Sequence, residues 1–152
     1  MLAVTVLLRG DHLVRHRGPL ARRPDEPLLL IEAESFARKL PYHPHKLTLI
    51  FAAMRQFRDT VADAGRTVHY RQVESFGEGL STHFADHPED RLVTTAPQTD
   101  GARERIEALV TEAGGSVEFV SDERFLCEPA QFYEWASDGR YRHEDFYRFM
   151  RR

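Results

Sequence analysis

The sequence is poor in cysteine and lysine and has no long apolar run. Cys127 is the one cysteine in 152 residues. That excludes an internal disulfide or a cysteine-rich zinc site, and it suits a cytosolic protein with a buried thiol. Of 21 basic residues only Lys39 and Lys46 are lysines, a bias given little functional weight. The start, MLAVTVLLRGDH, is too short for a membrane span and has no basic residue ahead of its apolar stretch. It reads as a first strand, and the expected location is cytoplasmic. No GxGxxG follows that strand; the turn is RGDH, with one glycine, which argues against the usual dinucleotide fingerprint. GEGLST (77–82) lacks the lysine and spacing of a phosphate loop and reads as a helix cap. No Ser/His/Asp or Cys/His order stands out, and Cys127 has no activating cation pattern.

What is present is enough for a folded domain. The chain is 41% hydrophobic and 30% charged. It can bury a core, and disorder is disfavoured at this apolar content. A net charge of −3 gives no global push toward nucleic acid.

Short apolar runs alternate with helical patterns. LAVTVLL (2–8) and PLLLIEA (27–33) are continuous apolar strands. The proline-rich, charged stretch between them reads as a loop with room for a short helix. In HKLTLIFAAMRQFRDTVADAG (45–65), Ile50, Met54, Phe57 and Val61 recur at helical spacing, and Gly65 stands where a left-handed cap belongs. TVHYRQV (67–73) alternates like a strand with one wetter face, at a sheet edge. A weaker helix (75–87), a strand (91–96), a helix (100–114), a fifth strand (116–120) and a helix (128–137) follow. Strands this short and apolar, joined by helices, predict a parallel sheet covered on both faces. Right-handed crossovers then give a Rossmann-like α/β doubly wound domain of five strands in the order 3-2-1-4-5. Ligands in such sheets bind beyond the carboxyl ends of the strands. Here that rim comprises Arg9–His12, Glu32–Ser35 and Thr95–Asp100.

Asp11, Glu32 and Glu34 are the rim acids. They either hydrogen-bond a ribityl or ribose hydroxyl or cap neighbouring helices. His83 and His87, four apart, could share a metal on one helix face. Without a third ligand, they read as solvated surface histidines.

Three stretches, in order, resemble the deoxyribodipyrimidine photolyase-related proteins, the iron–sulfur bacterial cryptochromes and photolyases. LLRGDHL (7–13) is similar to the family's L-x-GDQL after its first strand. HKLTLIFAAMRQFRDTVADAGRTVHY (45–70) resembles its SAMRHF-type helix and the next strand. SDERFLCEPAQFYEWASDGRYRHEDFYRFMRR (121–152) resembles its D-x-RFLC run, aromatic-W-A segment and FYR-x-MRR helix. The resemblance implies an amino-terminal antenna domain that can hold a light-harvesting pigment, in some members a ribityllumazine. It further implies FAD, a four-cysteine [4Fe–4S] cluster and a lesion pocket in a following helical domain, which repairs (6-4) photoproducts in DNA under blue light. The matched rim positions are Gly10, Asp11, Glu32 and Pro97, the candidate pigment contacts. Ile31 and Phe36 stand where lumazine-binding members have polar contacts.

Residues 1–142 are thus expected to form the antenna domain. Residues 143–152, HEDFYRFMRR, are expected to begin a linker helix toward an FAD and iron–sulfur domain that this chain does not include, through truncation. Phe146, Phe149 and Met150 would pack on the sheet domain or on a partner, while Arg148 and Arg151 face water or phosphate. Two other readings stand beside this one. The chain could be a stand-alone module for a nucleotide-like or flavin-like ligand, or a module that dimerises through its aromatic tail.

Overall fold

The computed structural model describes residues 3–139 and 141–151. Five strands make one parallel sheet: β1 (Ala3–Leu8), β2 (Leu28–Ala33), β3 (Val68–Val73), β4 (Asp90–Thr95) and β5 (Ser116–Val120). Their order is β3-β2-β1-β4-β5, as the sequence predicts. β1 pairs with β2 (Val6 with Leu28) and with β4 (Val6 with Val93), so it is the middle strand.

Both faces of β1 and β2 are covered, which explains their unbroken apolar sequence. On one face, Leu7, Leu29 and Ile31 pack with Leu80 and Phe84 of α4 (Phe76–Asp86) and with Ile106 and Val110 of α5 (Ala102–Glu112). On the other, Val6, Leu8, Leu28 and Leu30 pack with Leu20 of α1 (Gly18–Arg22) and with Met54 and Val61 of α3 (Pro44–Asp63). α2 (Glu34–Arg38) is a single turn between β2 and α3. α1 is the short helix for which the proline-rich stretch left room.

Local chemistry sets the helix ends. His43 caps α3, its Nδ1 accepting from the His45 N–H at 3.2 Å, and Pro44 needs no partner in the first turn. Gly65 closes the other end at φ +89, a conformation that a side chain would strain. Ser75 caps α4 by accepting from the Glu78 N–H at 3.1 Å. The glycines of GEGLST therefore lie inside the first turns of a helix.

β3 is an edge strand and only half-buried, matching its alternating sequence. No helix among the described residues is long and apolar enough to cross a membrane.

After β5 the chain leaves the core. Residues 121–127 run along the surface, where Phe125 is 55% and Leu126 95% exposed. Cys127 is half-buried there, with its thiol 3.5 Å from the Glu128 carbonyl. The expectation of a buried thiol is thus corrected: its segment crosses the end of the sheet instead of entering it. α6 (Pro129–Trp135) and α7 (His143–Met150) form a separate aromatic corner. Phe146 packs against Trp135 and Phe132, with ring centres 4.9 and 5.6 Å apart. Neither buried cluster of the sheet includes a residue of α7. Arg148 is exposed, as expected, and pairs with Glu144 at 2.6 Å.

This division sets two stabilities apart. Leu29→Ala should cost about 2–5 kcal/mol by removing a fully buried side chain. Phe146→Ala should cost about 1 kcal/mol, the scale of an aromatic pair outside the core. Urea unfolding of the two variants measures this, and equal losses would place α7 in the main core.

Candidate functional site

The rim at the carboxyl ends of the strands is where the topology opens. β1 is followed by a chain that goes to β2, while β4 lies on its other side. The loops after β1 and β4 part there and leave a shallow depression. Leu8, His12, Gly18, Pro19, Thr95 and Arg124 are among its lining residues.

Two polar groups organise this rim. The first is a carboxylate net on β2. Glu32 sits at 8% exposure on the α3 face. It accepts from Arg55 Nε at 3.0 Å and from Gln72 Nε2 at 3.3 Å, and also from the Tyr70 hydroxyl. Arg55 Nη2 closes the fork at 2.5 Å from the second carboxylate oxygen. Donation from Arg55 is the main reason its pKa falls from 4.5 to about 2, and burial only partly opposes it. Burial and the bond to Glu32 push the Tyr70 phenol upward in turn.

The second group joins three separate segments. Arg124, after β5, reaches back to donate to the Asp11 carbonyl at 2.8 Å and to the buried His12 ring. Its guanidinium is forked onto Asp122 at 2.9 and 2.7 Å. Arg9 Nη2 meets His12 Nδ1 at 3.0 Å from the other side. Burial lowers the His12 pKa, and the two guanidinium groups oppose a further positive charge. Glu123 completes the clip by accepting from the Gly18 N–H at 2.9 Å. One donor is left over: Arg9 Nη1 is buried and has no hydrogen-bond partner.

The four candidates fall into these surroundings unequally. A Cβ on Gly10 would stand 3.1 Å from Met54 Sδ, so glycine lets the turn lie against α3. Glu32 meets the next residue of that helix, Arg55, and α3 therefore gathers both. Asp11 is largely exposed and belongs with Arg9 and His12, at 3.5 Å from each. Pro97 follows β4, half-buried, on the other side of the switch. Helix capping does not describe Glu32, which lies within a strand. It comes closer for Glu34, which opens α2 and pairs with Arg38 at 3.7 Å. Ile31 turns to the opposite face and packs under α4, as strand alternation requires.

Sequence reasoning missed Arg9, His12, Asp122 and Arg124 as one group. Its signal was the D-x-R of SDERFLC, whose partners lie more than a hundred residues away. The surface reading of His83 is also overturned. That ring is 0% exposed and bonded to Asp90 at 2.8 Å, because α4 turns it onto the sheet.

Residues 6–152 match the family model described as deoxyribodipyrimidine photo-lyase-related protein. The chain belongs to that family. A curated relative, the (6-4) photolyase of Agrobacterium fabrum, is 28% identical over 156 positions. The alignment covers 97% of this chain and 31% of that relative. This photolyase-related chain thus spans about a third of the relative's length.

The Glu32 net has a measurable signature. Its folded pKa lies below the unfolded value, so its stabilisation is complete above about pH 4.5 and fades toward about pH 2. Arg55 is half-exposed and screened by water, so the contribution at pH 7 is about 1–2 kcal/mol. Glu32→Gln should lower stability by that amount at neutral pH, and the gap to wild type should close as pH falls through that window. Denaturant melts across the range check this.

Proposed function

We propose that this chain is the amino-terminal light-harvesting domain of a photolyase/cryptochrome-like flavoprotein. It would act in light-dependent repair of (6-4) photoproducts or in blue-light signalling, in the cytoplasm. The observation that carries the reading is the unpartnered Arg9 Nη1 at the switch point. At the rim, a buried guanidinium nitrogen without a protein acceptor is placed to donate to a ligand. A ribityllumazine-type pigment offers suitable oxygens in its ribityl hydroxyls and ring carbonyls. Gly10, Asp11, Glu32 and Pro97 are the further contacts this reading assigns to it. Glu32 already accepts four hydrogen bonds, so it would serve the pigment through the Arg55 and Tyr70 groups that it holds at the rim.

FAD and the [4Fe–4S] cluster do not belong to this portion. A four-cysteine cluster cannot be built on Cys127 alone. In this reading they lie in a following domain, which also meets the damaged DNA. Residues 1–142 are the antenna domain, and α7 begins the connection. Tyr133, Tyr147 and Phe149, exposed on α6 and α7, would face the partner domain. The family match and the photolyase relative support the parentage, and the rim geometry supports the ligand site.

Titration of the purified chain with an 8-ribityllumazine, followed by quenching of the pigment's fluorescence, tests the reading. The expected result is saturable one-to-one binding, weakened roughly tenfold or more in Arg9→Gln, as for loss of a charged hydrogen bond. Tighter binding of FMN or a nucleotide would favour the stand-alone ligand-binding module. Failure of every ligand to bind would remove the antenna role.

A further inference from the structure

At the opposite end of the sheet from the rim, three histidines meet. His69 is on β3, His83 on the last turn of α4, and His87 is that helix's C-cap. The ring centres lie 4.7 Å apart for His69–His87, 4.9 Å for His83–His87 and 5.8 Å for His69–His83. Three imidazoles sharing one tetrahedral ion through nitrogens at ~2.0–2.1 Å have ring centres about 5 Å apart. The spacing from His83 to His87 is one helical turn, and the sheet supplies the third imidazole from the neighbouring strand.

The innermost ring carries the argument. His83 is fully buried, and its Nε2 is bonded to Asp90 Oδ2 at 2.8 Å. Its Nδ1 is buried with no hydrogen-bond partner. In the large majority of cases a core histidine kept only for packing has its buried nitrogens satisfied. Instead, a carboxylate orients the ring and leaves the other nitrogen free, the arrangement that surrounds metal-ligating histidines. His69 and His87 are half-buried and give access from solvent. Arg71, whose charge reaches His69 and His83, is itself paired with Asp86 at 2.5 Å.

We propose that His69, His83 and His87 form a site for a divalent transition-metal ion of the zinc class, with Asp90 as the outer carboxylate. The ion would fasten edge strand β3 to the end of α4. Imidazole ligands suit zinc, copper and nickel and do not suit magnesium or calcium. Among the described residues no three such side chains stand ready to hold a metal ion as they are placed. The site therefore requires the two half-buried rings to turn about their side-chain bonds toward the His83–Asp90 pair.

Calorimetric titration of the chelator-treated chain with Zn2+ decides the matter. One saturable Zn2+ per chain is expected, with a rise in Tm on binding. His69→Gln and His87→Gln, both half-buried positions, should each weaken binding at least roughly tenfold. Asp90→Asn should weaken it roughly 10–100-fold. His45→Gln, in the separate pair capping α3, should change nothing. Circular dichroism establishes that each variant is folded, and His87→Gln serves if His69→Gln is not. The site is refuted if wild type shows no saturable binding. It is equally refuted if the His69→Gln/His87→Gln double variant binds as wild type does, or if loss follows His45→Gln.

Discussion

The structure depends on burying β1 and β2 on both faces. Leu7 and Leu29 feed one apolar layer while Val6, Leu8, Leu28 and Leu30 feed the other, all nearly inaccessible to water. A strand with no polar face cannot stand at a surface, so helices must lie above and below it. Parallel pairing then follows, because helices occupy the connections. Once the sheet is doubly wound, the rim at the strand ends is a consequence of topology, before any ligand is considered.

The buried ionisable groups His12, Glu32, His83, Asp90 and Asp122 lie at the two ends of this apolar slab. At the carboxyl end, Glu32 holds Arg55, Tyr70 and Gln72, so it ties the end of β2 to both α3 and the edge strand. The Asp122–Arg124 clip does similar work across the switch, joining the turn after β1 to the segment after β5. At the amino end, His83 and Asp90 tie α4 to the start of β4. Buried polar groups are tolerated in each place because nearly all have partners. Among the described residues six buried side-chain atoms have none, with Arg9 Nη1 at the rim and His83 Nδ1 at the opposite end among them.

Much of this was legible from one dimension. The order of strands and helices follows from apolar runs, the 3.6-residue period of α3, and caps such as Gly65. Edge placement of β3 follows from its alternating polarity. The rim loops follow from topology, which is why Gly10, Asp11 and Glu32 could be named in advance. What each side chain does there could not be read. Glu32 was an acid with two possible roles, and its engagement in a four-residue net became visible only when β3 and α3 were placed beside it. The tail was read as packing on the sheet domain or a partner, and which part of that domain it meets, Trp135 and Phe132 of the neighbouring helix, became visible only in three dimensions.

The sequence by itself determined the periodicities, and with them the parallel sheet and its strand order, because burial patterns are local in the chain. It also carried the family, since the motifs in 7–13, 45–70 and 121–152 are contiguous. Tertiary structure alone decided which distant residues share an environment. His69 could not be assigned to His83 and His87, nor Arg124 to His12, from spacing. Their meeting depends on how strands are ordered side by side and on which face a helix presents, and both are settled by the packing of the apolar core. The exposed reading of His83 failed for the same reason: on α4, half a turn of rotation separates solvent from the sheet.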